Sequence, residues 1–442
     1  MGEVPAANES AVSRRSFLGA GAALSGAAAL PAAHYRRVLG AGNRIGVAEA
    51  HRGRLKEAAA LIGGAVKAHA DFRRLLDSKD VAAVVVSTPD HWHALMAMLA
   101  CAAGKDVYVE KPLTLFVREG RWMVEIARRH KRVVQVGTQQ RSGRHYQRAR
   151  ELIRGGRLGR VVSVRMRAAR NILPGYGSPP DGDPPPDLDW DMWLGPAPKR
   201  RYNPNRCIYH FRWFWDYSGG QMTNLGQHAL DIVDWVLGLG GLRAVSSAGG
   251  RFALTDNGET PDTQDALFEL AGWTAAWSHR ECSRGELRAF PLGFFGTKGA
   301  LGISRKGFQL TGDPDVPPAN TVPTFAGAHP VGGPRPAPVT GPARTRTESV
   351  EDRSGDSRAQ FRAHARNFLD CVRSRKQPVS DLESGHRAVT ACHLANLSLR
   401  LGRKLRWDAA KETIVGDAEA ARWLVRPYRA PWDRELKALG VG

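Results

Sequence analysis

The sequence predicts an α/β protein, with an N-terminal parallel, Rossmann-type sheet and then an α+β region carrying a large, mostly antiparallel sheet. Three observations predict this. From Val47 to Gly137, short Val-rich runs alternate with helical stretches, the pattern of a parallel sheet wrapped by helices. The runs are almost continuously apolar, as strands covered on both faces are. Beyond Gly155 the strands lengthen and several alternate in polarity, as antiparallel strands with one wet face do.

In order along the chain, a helix is expected at Arg52–Ile62 and a short one opening at Asp71, a residue type that caps helices. A β-branched strand, Val81–Ser87, ends at Thr88-Pro89. A helix His93–Ala103, a strand Asp106–Glu110, a helix Arg118–His130, a strand Val133–Gly137 and a helix near Tyr146–Ile153 follow. Longer strands are expected at Val161–Ala168, Asp265–His279 and Gly299–Ser304, interrupted by Pro/Gly-rich loops at Pro174–Pro186 and Gly312–Pro342. A helix at His228–Leu237 and a final pair, Phe361–Ser374 and Leu382–Leu401, complete the pattern. The resulting division is an N-terminal signal at 1–33, a Rossmann-like domain at 34–155, a sheet domain at 156–360, and C-terminal helices at 361–442 that pack back on the first domain.

Composition narrows the function classes. With 442 residues, 42% hydrophobic and 24% charged, the chain is an ordinary globular protein of more than one domain. The net charge of +21 raises nucleic acid as a partner, but no basic block exceeds Lys199-Arg200-Arg201, so no nucleic-acid partner is expected. The five cysteines form no C-x-x-C pair, and the spacing of Cys371 and Cys392 does not by itself establish a disulfide. His91 and His93 lack an acidic or Cys partner at ligand spacing, so no metal is expected. Ser13-Arg14-Arg15-Ser16-Phe17-Leu18, followed by an Ala/Gly-rich stretch to Ala33, has the order of a twin-arginine export signal. The export machinery is then a partner, the mature protein periplasmic or otherwise extracytoplasmic, and no later run is long enough to span a membrane.

Ligands of open α/β sheets sit at the carboxyl ends of strands. Those ends read Ser87-Thr88-Pro89-Asp90-His91-Trp92-His93, Glu110-Lys111-Pro112 and Gly137-Thr138-Gln139-Gln140-Arg141. Further on, Gly219-Gly220-Gln221-Met222-Thr223-Asn224-Leu225-Gly226-Gln227-His228 opens a helical run, and a spacing of four puts Asn224 and His228 on one face if that turn is α-helical. The alternation of Tyr209, Phe211, Trp213, Trp215 and Tyr217 places five rings on one face of an extended segment, suited to the core or to stacking on a pyranose ring. Lys199-Arg200-Arg201-Tyr202 and Arg206 read as a solvated loop in which an arginine can fork onto a sugar acid.

Together, these motifs resemble the glucose-fructose oxidoreductase, inositol 2-dehydrogenase and rhizopine-catabolism family over roughly Val47 to Trp407, and most nearly its exported members. The resemblance implies NAD or NADP in the Rossmann domain and a sugar, cyclitol or glycoside held over it. Lys111 matches the catalytic lysine, Pro112 a proline often preceded by a cis bond, and His228 the base or second proton partner. Asn224 stands where many members have Asp; it can orient a hydroxyl but cannot carry a proton. Glu49, Ser87, Thr88, Pro89, His93, Glu110, Lys111 and Gln139 fall on the cofactor side, and Arg141, Tyr202, Trp213, Asn224 and His228 on the substrate side. A homodimer or tetramer is implied as well.

One departure from the family is large. The opening βαβ unit, with G-x-G-x-x-G and a ribose-binding acid about 20 residues later, does not fit before Arg52. Gly40-Ala41-Gly42-Asn43-Arg44-Ile45-Gly46 has the wrong spacing and reads as a linker, while Glu49 fits the position of the ribose acid. The readings are therefore a dehydrogenase, a redox-assisted glycosidase or lyase that uses NAD transiently, and a non-enzymatic carbohydrate-binding relative that has lost the glycine loop.

Overall fold

The parallel strands fall into two pieces. In this computed structural model, which describes residues 46–63, 66–285, 290–313 and 347–442, β1 (Gly46–Ala48) pairs with β2 (Lys67–His69), whereas β3 (Ala83–Val86), β4 (Asp106–Val109) and β5 (Val134–Val136) form a second sheet in that order. Among the described residues no strand joins the two pieces. The break falls where the doubly wound order puts its first strand, between the second and the fourth. The export stretch, the linker glycines before residue 46 and most of the second Pro/Gly-rich loop lie outside the described residues.

The helices of this half follow from local chemistry. α1 (Arg52–Ile62) and α2 (Phe72–Leu76) stand where expected, and the Asp71 carboxylate accepts from Arg73 N at 2.9 Å, closing the N-terminus of α2. α3 (Asp90–Ala102) begins earlier than expected, directly after Pro89, with Asp90 in its first turn where a negative charge suits the helix dipole. α4 (Val117–Arg129) completes the layer, whereas α5 (Arg144–Arg154) buries Tyr146, Ala149 and Ile153 in the core of the second half. Leu95, Met98, Val107, Val109, Ile126 and Val136 pack into the core between strands and helices.

The second half is a ten-stranded sheet built from β6 (Val161–Ala169), β7 (Leu242–Gly250), β8 (Thr263–Leu270), β9 (Trp273–Arg280), β10 (Leu292–Gly296), β11 (Gly299–Ser304), β12 (Gly307–Gly312), β13 (Val350–Asp352), β14 (Leu405–Asp408) and β15 (Thr413–Ile414). Their order is β13-β12-β11-β10-β6-β9-β8-β7-β14-β15, and every pair is antiparallel except β6 with β9. The single strand expected over Asp265–His279 is instead the hairpin β8–β9. It turns at Ala271-Gly272, where φ of 89° at Gly272 suits glycine. The C-terminal region, read as helices alone, also supplies β14 and β15 to the large sheet.

α6 (Gln227–Leu237), α7 (Ser357–Ser374) and α8 (Leu382–Leu401) join the halves. On α8, Ala388, Ala391, Leu394 and Ala395 sit in the core of the large sheet with Phe268, Trp277 and Leu301, while Val389 sits in the core of the parallel sheet. One helix thus serves two cores. Its alanines permit close approach on one side, and Gly385 approaches Val136 so closely on the other that a Cβ would stand 2.8 Å from Cγ2. This docking brings the carboxyl ends of β3 and β4 against the start of α6.

Candidate active site

The loop after β4 carries Glu110, Lys111 and Pro112, and the Lys111-Pro112 peptide is cis. Gln227 Oε1 accepts from Leu113 N at 3.1 Å and pins this loop to α6. Immediately before α6, Met222–Gly226 forms a π-helical turn rather than an α-helical one. The expected four-residue face shared by Asn224 and His228 is corrected accordingly, because the wide turn changes the angular spacing. Lys111 Nζ donates to the Asn224 carbonyl at 2.7 Å and to Asn224 Oδ1 at 2.9 Å, joining the two motifs. The Gly219-Gly220 pair leading into this turn is required by space and backbone. Gly220 has φ of 64°, and a Cβ there would stand 2.8 Å from the Thr260 side chain.

A chain of polar contacts runs inward from Asn224. Its Nδ2 donates to Gln221 Oε1 at 3.1 Å, Gln221 Nε2 donates to Glu281 Oε1 at 2.8 Å, and Trp213 Nε1 donates to Glu281 Oε2 at 2.6 Å. Glu281 is fully buried; desolvation pushes its pKa up against the opposing pull of these donors. Nothing local marks Glu281, and Gln221 stands in the Gly219–His228 motif with no sign of this partner, because the contact between them spans 60 positions.

The electrostatics are those of a proton-handling site. Lys111 is only partly open to the cleft; burial first, and then the neighbouring Arg212, bring its pKa down to about 8. His228 is 9% exposed, and burial followed by the charges of Lys111 and Arg305 drives its pKa well below the usual value, so the ring is neutral. Arg305 Nη2 lies 3.5 Å from His228 Nε2. A guanidinium only donates, so Nε2 is the acceptor and the ring proton sits on Nδ1, which has no partner among the described residues. Glu110 is braced by Gln139 Nε2 at 2.9 Å and by Lys111 N at 3.2 Å; burial pushes its pKa up while Lys111 opposes.

The structure therefore brings Lys111, Asn224, His228, Glu110 and Gln139 together, with Thr88 at the end of β3. Ser87 is exposed, Pro89 precedes α3, and the Thr88 Oγ1 is buried without a partner. Other expectations need correction. His93 is not exposed to a cofactor: its ring is 1% exposed, with Nδ1 at 2.6 Å from Pro112 O and Nε2 at 2.9 Å from Thr88 O, so it lies between the two loops and, kept neutral by burial, donates to one of the two carbonyls. Arg141 does not face a substrate. It is 2% exposed, bound to Asp231 at 2.8 Å, and also donates to Ser384 Oγ and Val379 O. Trp213 is no stacking platform, since it is 0% exposed and its segment, His210–Trp213, is a 3-10 turn that breaks the alternating face. Tyr202 packs edge-on against Trp190, with ring centroids 5.3 Å apart.

Glu49 follows β1 as expected, but its carboxylate accepts from His51 N at 3.2 Å. The nearby N-terminus of α1 is closed by Asp187, whose carbonyl accepts from Arg52 N at 2.8 Å and whose carboxylate lies 3.3 Å from His51 Nδ1. His91 Nε2 sits 3.0 Å from Trp193 O inside the core, and the described residues hold no cluster of three His, Cys, Asp or Glu able to bind a metal. All five cysteines are free, and no described helix is long and apolar enough to cross a membrane.

Two family models match the chain. The NAD-binding Rossmann fold of an oxidoreductase family (GFO_IDH_MocA) matches residues 14–138, and the C-terminal alpha/beta domain of the same family matches residues 176–247 and 353–434. Among curated proteins, a 1-carboxy-3-chloro-3,4-dihydroxycyclohexa-1,5-diene dehydrogenase of Comamonas testosteroni is 37% identical over 188 residues, 42% of this chain and 39% of that protein. Inositol 2-dehydrogenase 2 of Saccharopolyspora erythraea is 30% identical over 223 residues, 50% of this chain and 53% of that protein. The chain thus spans about half or less of the length of these relatives. Among solved structures, a levoglucosan dehydrogenase in complex with NADH and levoglucosan superposes with a TM-score of 0.60 at 19% identity, over 86% of this chain and 96% of that one. An NAD binding oxidoreductase from Klebsiella pneumoniae gives 0.61 at 19% identity over 86% and 95%.

Proposed function

Since this chain belongs to the Gfo/Idh/MocA oxidoreductase family, we propose that it is an NAD(P)-dependent dehydrogenase oxidising a secondary hydroxyl of a sugar, cyclitol or glycoside. The observation that carries this reading is the state of Lys111. A neutral amine has two hydrogens, and both are engaged by the Asn224 carbonyl and Oδ1. Its lone pair is then left for an incoming proton. With its pKa brought down to about 8, the lysine is neutral in about half of the molecules at pH 8, where it can take that proton.

The residues fit the reactive half of the cofactor. Thr88 Oγ1, buried and unpartnered just after β3, is a free donor or acceptor on a loop that His93 separates from Pro112, at a strand end where ligands of such sheets gather. Bound NAD(P)⁺ supplies the hydride acceptor. Lys111 positions the substrate hydroxyl and takes its proton as the C–H hydrogen leaves with its electron pair, so the alcohol becomes a ketone and the amine an ammonium. His228 donates from Nδ1 to the same oxygen and holds it in line. Asn224 keeps the amine aimed, and the cis peptide loop fastened by Gln227 fixes its base.

Calorimetry with NAD⁺ and NADP⁺, followed by reduced-cofactor absorbance with myo-inositol, levoglucosan and glucose, tests the reading. The inositol and levoglucosan arms follow the substrates named for the similar proteins. Binding at micromolar affinity or better, about −8 kcal/mol, with turnover abolished in Lys111→Met is expected. No binding up to millimolar cofactor overturns the proposal. We further propose export by the twin-arginine route, supported by Arg14-Arg15 and the small-residue stretch after them, and tested by fractionating cells with and without that pathway. Homo-oligomerisation through the outer face of the large sheet is supported by the concavity there, lined by Leu267, Phe290 and Phe295, and is tested by light scattering.

A further inference from the structure

Charges of both signs act on Lys111: Arg212 and Arg305 on one side, Glu110 and Asp90 on the other. Arg305, in the turn between β11 and β12, reaches from an exposed position to His228. Arg212 lies over the rings of Tyr209 and Phe211, 4.8 and 4.7 Å from their centroids, and donates to Tyr209 O at 3.0 Å. Among the described residues neither guanidinium has a carboxylate partner. Three other partly covered arginines do, Arg206 with Glu259 at 3.4 Å, Arg387 with Asp234 at 3.0 Å and Arg429 with Asp191 at 2.7 Å, whereas Arg150 donates to the Trp235 carbonyl. Both unpaired cations act on the same reaction site. Arg212 and Arg305 each disfavour the ammonium form of Lys111, and Arg305 disfavours the cationic form of His228.

Asp90, which accepts from Ser218 Oγ, and Glu110, held by Gln139 and by Lys111 N, act on Lys111, but neither forms an ion pair with Arg212 or Arg305. An oxidised nicotinamide adds one more positive charge during turnover. Two guanidinium groups without carboxylate partners, Arg305 exposed and 3.5 Å from His228 and Arg212 partly covered, both act on a lysine that becomes cationic as it takes the proton, and together they offer a site for an anion.

We propose that the substrate is an anionic sugar or cyclitol, whose carboxylate or phosphate is received by Arg305 and Arg212 while its secondary hydroxyl meets Lys111. The forked donors of arginine match either oxyanion, and a neutral polyol leaves both guanidinium groups without partners. This deepens the dehydrogenase reading and rests on it.

The test titrates the full chain by calorimetry with D-glucuronate, D-glucose 6-phosphate and D-glucose, before and after NADH is added to the same sample. At least one anion is expected to bind about tenfold more tightly than glucose, and which one does so distinguishes a sugar acid from a sugar phosphate. Arg305→Gln and Arg212→Gln are expected to reduce that preference to about threefold or less, with an unchanged unfolding midpoint. Arg305→Lys and Arg212→Lys, which keep the charge and lose the fork, are expected to retain part of it. Equal binding of all three sugars, including no binding by any, overturns the inference. So does a preference that survives both glutamine variants, or variants that weaken NADH and not the sugar anion. NADH binding without an anion preference defeats this inference alone, whereas absence of NADH binding defeats the dehydrogenase reading.

Discussion

Asn224→Asp is the substitution that most directly questions the proposed proton path. It changes one atom type at a position 2.9 Å from Lys111 Nζ and places a carboxylate where an amide oxygen now accepts. An opposite charge this close favours the charged partner by about 1–3 pKa units. Starting from about 8, the lysine then titrates at roughly 9–11. At pH 8 its neutral fraction falls from about one half to between roughly a tenth and a thousandth, and oxidation slows by about 5- to 500-fold. The loss is recoverable, since raising the pH by the same 1–3 units restores the rate. The lysine can be read without knowing the substrate, by reductive ¹³C-methylation and an NMR titration, compared with Lys111→Arg to assign the resonance. A Lys111 pKa that stays near 8 or falls in Asn224→Asp refutes the reasoning, because it means that the Asn224 contact does not set the protonation of the amine.

Asp231→Asn leaves the Arg141 guanidinium buried without its carboxylate, a loss that usually costs about 3–5 kcal/mol. Asp234 remains 3.9 Å away, so the lower end, about 3 kcal/mol in chemical unfolding, is expected with cofactor affinity unchanged. A small stability change with lost ligand binding would return Arg141 to the substrate. Glu281→Gln sets a donor against either Trp213 Nε1 or Gln221 Nε2, costing about 1–3 kcal/mol and releasing Asn224 from Gln221; the Lys111 titration should broaden or shift, and an unchanged curve disconnects the chain. At Glu412, burial pushes the carboxyl up, but hydrogen bonds from His386 and Arg121 outweigh it and hold it down to about 2. Its stabilisation is then fully present above about pH 4.5 and lost as the pH falls through about 2, roughly 1–2 kcal/mol after solvent screening. Glu412→Gln should flatten that part of the stability profile, and an unaltered acid limb counts against the ion cluster.

How far the sequence reaches depends on the range of the physics involved. Val81–Ser87 announces β3 because burial on both faces selects a run of β-branched residues, a strictly local signal. Arg141 misleads because it follows a strand end, where ligands gather, and the carboxylate that claims it lies 90 positions away. Trp213 misleads because rings at alternate positions look like a strand face; the chain closes instead into a 3-10 turn, and the indole reaches Glu281 across 68 positions. Glu281 itself carries no local signal at all. The motifs at the strand ends were legible, but their coupling was not.

Asn224 shows the difference best. Its spacing from His228 suggested a pair on an α-helical face, whereas the π turn makes it the partner of Lys111 through both its carbonyl and its side chain. As an amide it looks from sequence like a weakened aspartate. Beside Lys111 the same feature has the opposite sense, because a carboxylate there stabilises the ammonium and an amide does not. Arg212 and Arg305 act in the same direction. Burial and two arginines drawn from separate segments thus bias one lysine toward its neutral, proton-accepting form, against the pull of Glu110 and Asp90. If Lys111 is that acceptor, restoring the carboxylate and removing the two arginines must each raise its pKa, and the effects must be separable because the arginines act on Lys111 through space and not through the hydrogen bonds of Asn224.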